Sequence, residues 1–105
     1  MRPSYGTNNS TASSVASILY TGDTNTRMFS VSFKARAGNP SSVYIGSDSN
    51  VVSSAGYELV AGSTLSFIVS DVQENNVPGT IKAHIWHMSA PSTVSKLDWA
   101  MLLET

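Results

Sequence analysis

Two histidines in the run His84-Ile85-Trp86-His87 are the side chains best suited to hold a metal ion or move a proton. A zinc centre needs three or four ligands that converge on one point. The run lies in an alternating stretch, and on a strand residues three apart point to opposite faces, so this pair does not chelate one ion. The chain contains no cysteine, which excludes disulfides and thiolate metal sites. Its carboxylates are scattered through turns: Asp23 beside Gly22, Asp48 in a Ser-Asp-Ser-Asn run, Asp71 and Glu74 in one polar loop. A pair placed for acid–base work could come only from the tertiary fold. With nineteen serines present, a serine–histidine–aspartate set on paper carries no information. No glycine-rich loop leads from a strand into a helix to cradle phosphate. The expectation is a protein with no catalytic residues, no cofactor and no metal.

Composition points to contact instead. Charged residues make up 12% of the 105 positions, about half the usual quarter. Nineteen serines and nine threonines take their place. Short hydroxyl side chains lose little entropy when ordered, whereas lysine and glutamate lose much more. Such a surface suits protein–protein contact. Six basic and seven acidic residues give a net charge of −1, without the basic stripe that a duplex-binding domain normally shows, so no nucleic-acid partner is expected. No apolar run approaches the roughly 18 residues of a membrane-spanning helix. The opening MRPSYGTNNSTASS lacks the apolar stretch of a signal peptide, so synthesis in a cytoplasm without export is expected.

The elements that must position these residues are strands. Residues 1–14 are polar and read as a flexible N-terminal arm; residues 15–105 read as one domain. Val15 to Tyr20 is β-branched and aromatic and ends at a Thr-Gly-Asp turn. Met28 to Ala37 alternates most clearly: Phe29, Val31, Phe33, Ala35 and Ala37 face the core, and Met28, Ser30, Ser32, Lys34 and Arg36 face water. A short strand ends at Gly46, Val51 and Val52 offer one more pairing, and Leu65, Phe67 and Val69 alternate after a turn at Gly62. Asp71 to Gly79 is a polar loop, and Thr80 to Met88 alternates again. Leu97, Trp99, Met101 and Leu103 fit a final strand, preferred to a short helix because everything before it is β. Seven to eight short strands with frequent turn signals predict an all-β fold, an antiparallel β-sandwich of jelly-roll type.

Tryptophan, tyrosine, methionine and arginine are enriched at protein interfaces. The candidate interface is therefore Met28, Lys34 and Arg36 on the wet face of the best strand, with Trp86 and Met88. Trp86 shares a face with Lys82 and His84, an arrangement that resembles a base- or sugar-stacking platform. With one cation beside it, Trp86 reads better as a half-buried residue at a sheet edge or subunit contact.

The central segment carries Tyr44 and Gly46, then Ser54, Gly56, Tyr57, Leu59, Gly62 and Leu65, in the pattern Ser-x-Gly-aromatic-x-Leu-x-x-Gly-x-x-Leu. This resembles small virion proteins of tailed bacteriophages, of the capsid decoration or cement type. The match covers under a quarter of the chain. On this reading the glycines turn the chain, and Tyr57, Leu59, Leu65 and Phe67 are core anchors between the corners. The segments DVQENN and KAHIWHM and the apolar end DWAMLLET depart from the pattern. The resemblance implies a structural role on the capsid surface, with the major capsid protein and copies of itself as partners. A homotrimer would fit the threefold positions of an icosahedral shell. A neck or tail adaptor, a fibre-associated module, or a carbohydrate-binding β-sandwich using Trp86 or Trp99 are the alternatives.

Overall fold

The computed structural model of the chain describes residues 2–9, 16–22, 25–47, 49–52, 55–68, 73–74, 77–78, 81–83, 86–91 and 94–104. In chain order the strands are β1 (Arg2–Asn9), β2 (Ser17–Ile18), β3 (Arg27–Ala35), β4 (Val43–Gly46), β5 (Tyr57–Leu59), β6 (Thr64–Ile68), β7 (Gln73–Glu74), β8 (Val77–Pro78), β9 (Ile81–Lys82), β10 (His87–Ser89) and β11 (Lys96–Leu103). Two antiparallel sheets are built from them. The first runs β1-β11-β3-β6, with β9 continuing β6's side of β3; the second runs β2-β10-β4-β5. The strands β7 and β8 pair only with each other, so a short hairpin stands where the sequence suggests a plain loop.

Leaving that hairpin and β9 aside, the eight strands pair outermost with outermost and inward from there. Thus β1 pairs with β11, β2 with β10, β3 with β6, and β4 with β5. A ribbon of nested antiparallel pairs wrapped into two layers is the jelly-roll arrangement, and the alternating sequence predicts its class. The core lies between the layers. Val31 and Phe33 of β3 and Leu97, Trp99, Met101 and Leu103 of β11 line one side, facing Val43, Ile45, Leu59 and Met88. Every second residue of β11 is buried, as a strand with one wet face requires.

Three expectations need correction. Arg2–Asn9 is a strand rather than a flexible arm, paired with β11 along its whole length. Its polar sequence shows no alternation because a neighbouring strand's edge, not an apolar face, holds it. Second, the parity of β3 breaks at Phe29. Leu102 pairs with Ser30 but Leu103 pairs with Met28, so Phe29 is an extra residue, a β-bulge, on β3. The bulge turns Met28 inward, where it is wholly buried, and leaves Phe29 half-buried. At the same point β3 exchanges its neighbour β6 for β9. Third, Thr80 to Met88 is not one strand. The chain leaves β9 on the first sheet, Ala83 donates its backbone N–H to the Thr26 carbonyl, and β10 starts afresh on the second sheet. The alternation is thereby reset, and Met88 points into the core.

Candidate interaction surface

The outward face of the first sheet can be read from its register. One row across the strands is Thr7, Asp98, Lys34 and Thr64; the next is Tyr5, Ala100, Ser32 and Ser66; a third is Pro3, Leu102, Ser30 and Ile68. Small residues fill the middle row, so a shallow depression forms there, lined by Ser32, Lys34, Thr64, Ser66, Asp98 and Ala100. The Ser32 and Ser66 hydroxyls share a hydrogen bond of 2.9 Å across its floor. Two apolar side chains stand at the margins, Tyr5 at 79% exposure and Ile68 at 78%.

One end of this face is closed by a polar clasp over three strands. The Arg36 guanidinium, just beyond β3, donates from Nε to Asp98 Oδ2 at 3.0 Å and from Nη2 to Asp98 Oδ1 at 3.0 Å. The same Nη2 donates to Thr7 Oγ1 on β1 at 3.2 Å, and the Thr7 hydroxyl donates to Asp98 Oδ1. The hydrogen bonds from Arg36 hold the Asp98 carboxyl below the ordinary aspartate value. The Thr7 hydroxyl and the charges of Arg36 and Lys34 add to this, against a smaller opposing effect of burial.

The structure divides the expected interface residues. Lys34 and Arg36 lie on the exposed face, as the alternation after the bulge requires. Met28 and Met88 are core residues and leave the candidate surface. Trp86 is half-buried. Its ring stacks on Phe67 at 5.6 Å and 16°, meets Phe33 edge-on, and its N–H donates to Met28 Sδ at 3.1 Å. Trp99 is buried, with its N–H given to Asn8 Oδ1 at 2.8 Å and Tyr20 packed edge-on against it. A sugar platform needs an open aromatic face; Trp99 has none, and Phe67 covers one side of Trp86.

Among the described residues no three histidines, cysteines or carboxylates gather to hold a metal ion. His84, Asp23, Asp48 and Asp71 lie outside those residues. In the family-like segment Leu59 is buried and Leu65 packs against the core, but Tyr57 and Phe67 are exposed rather than anchors. Tyr44 is half-buried and Ser54 lies outside the described residues. Gly62 is a true corner, at φ 86°, where the Ser63 N–H donates to the Val60 carbonyl at 2.9 Å. Gly46 and Gly56 instead make room for Val51, as their positions show: a Cβ on Gly46 would lie 2.2 Å from Val51 Cγ2.

Sequence reasoning misses Tyr5, Thr7 and Asp98. The signal available is the alternation of β11, which puts Asp98 on the wet face. Their meeting depends on β1 being a strand.

By its two sheets and nested pairing the protein is a small jelly-roll β-sandwich. No family model, no curated protein and no solved structure matches it.

Proposed function

We propose that the chain is a non-enzymatic structural protein of a tailed-phage virion, decorating or cementing the capsid exterior. It would be made in the host cytoplasm and would bind the major capsid protein and copies of itself, as a homotrimer, without covalent bonds. The observation that carries this reading is the outward face of the first sheet. It is open and shallow, with short hydroxyl and alanine side chains at its centre and Tyr5 and Ile68 at its margins. Docking such a face freezes little side-chain motion. Its two rows through Ser32 and Ser30 carry no charge, so contact there is tolerant of salt, and the charges of Lys34, Arg36 and Asp98 gather at one end. The Tyr44–Leu65 resemblance supports the same assignment. The interface residues are then Lys34 and Arg36, retained from the sequence, together with Tyr5 and Ile68.

Counting the protein in purified particles against the major capsid protein, by quantitative mass spectrometry, tests the assignment. A copy number in proportion to the shell is expected, with density for the chain on the outer capsid surface in an image of the particle. A handful of copies would move it to the neck or tail, and its absence from particles would remove the virion role.

A further inference from the structure

Although β1 spans eight residues, none of its side chains belongs to the hydrophobic core. Beyond the backbone ladder to β11, polar contacts fasten it. Arg2 donates to the Tyr20 hydroxyl at 3.3 Å, Asn8 Nδ2 donates to the Ile18 carbonyl at 3.3 Å, Asn8 Oδ1 accepts from Trp99, and Thr7 joins the Arg36–Asp98 clasp. The seat it fills is nevertheless specific. Gly6 lies opposite Trp99, and a Cβ there would come within 3.0 Å of the indole ring. A strand entering this edge therefore fits best with glycine at one position and an amide two places on. This chain's own segment Arg2–Asn9 supplies both.

We propose that the β11 edge is a strand-acceptor site and that its exchangeable occupant is β1 of a second copy. Exchange between two copies would continue the observed β1–β11 register and rebuild every bond named above, so no contact is lost. Because β1 is the outermost strand of its sheet, its departure breaks the ladder to β11 alone. The connection from Asn9 to Ser17 has a contour of roughly 25 Å when extended. Copies held side by side present β1 to one another at high effective concentration. The exchange rests on the geometry of β1 and holds with or without a virion role.

The chain has no cysteine, so an introduced pair reports unambiguously. Tyr5 and Ala100 are register partners, both exposed. Tyr5→Cys and Ala100→Cys are made as separate variants, one isotopically labelled, then mixed at high concentration and oxidised. The double variant serves as the closure control. Exchange predicts a disulfide between the two introduced thiols that joins a labelled to an unlabelled chain, found by mass spectrometry. It also predicts covalent oligomers from the double variant. If the double variant closes only within single chains, or the mixture gives no such link between the two variants, the proposal fails. Light scattering on the unaltered protein gives a second reading: a strictly monomeric species at every concentration also overturns it. None of this requires a shell: a missing cross-link leaves the capsid assignment standing, whereas a strictly monomeric chain removes its homotrimer as well, and absence from particles leaves the exchange untouched.

Discussion

Val51 shows how a single side chain can dictate two glycines. It is 2% exposed yet stands apart from the hydrophobic cluster between the sheets. Gly46 and Gly56 close around it: a Cβ on Gly46 would lie 2.2 Å from its Cγ2, and one on Gly56 would lie 3.0 Å from its Cγ1 and 3.3 Å from the Ile45 carbonyl oxygen. Val51 is thus a peg seated against the end of β4, which pins the connection to β5. Gly46→Ala should destabilise the fold by about 1–3 kcal/mol, the ordinary cost of overpacking a filled site. Adding Val51→Ala should recover much of that loss, because the two changes share one space. Urea unfolding of the two single variants and the double variant checks this; strictly additive costs would show that Val51 is not the obstacle. At this scale the sequence reveals a glycine-rich pattern but not its cause. Among the described glycines only Gly62 has the positive φ of a corner. The outward placement of Lys34 and Arg36 is legible because β3 stays regular around Lys34. That of Met28 is not, because one inserted residue, Phe29, reverses the faces and nothing in its chemistry announces a bulge.

Between elements, the Arg36–Asp98–Thr7 clasp ties the end of β3 and the outer strand β1 to β11. The folded Asp98 carboxyl has a depressed pKa, so it binds its proton less readily than in the unfolded chain. Its stabilisation is therefore fully present above the unfolded value, about 3.9, and fades as pH falls through the lower folded value. The Asp98 side chain is 35% exposed and its Arg36 partner 46%, so water and salt keep the effect modest. Melting temperatures of the unaltered protein and Asp98→Asn should differ at neutral pH and converge as the solution is acidified below pH ~4. High salt should narrow the neutral-pH gap as well. A gap that persists unchanged in acid would mean that the clasp's charge contributes nothing. The clasp also explains why β1 is hard to read. Its residues satisfy polar partners on β11, Arg36 and the Ile18 carbonyl, and most of those partners are far away in sequence. The final strand is legible from its own alternation, whereas β10 is not, since the chain changes sheets after Ala83 and begins a new phase.

Across the whole molecule, nested pairing sets the order in which folding can be repaid. The innermost pair joins Ile45 to Tyr57, while the outermost brings Thr7 to Asp98, separated by 91 positions. Closing the longer loop costs more entropy, and it costs least once the inner strands have already drawn the ends together. A fold dominated by such non-local pairs should relax in the millisecond-to-second range. Mutations at the two extremes should then act on different rates. Leu59→Ala, in the core beside the innermost pair, removes about 2–5 kcal/mol and should slow folding. Asn8→Ala strands the buried Trp99 N–H, at a cost of about 1–3 kcal/mol. That loss should fall almost wholly on the unfolding rate, because the β1–β11 ladder closes after the transition state. Stopped-flow tryptophan fluorescence over a range of urea concentrations separates the two limbs. If Asn8→Ala instead slows folding in proportion to its destabilisation, the ends of the chain meet first and the inward-to-outward order is wrong.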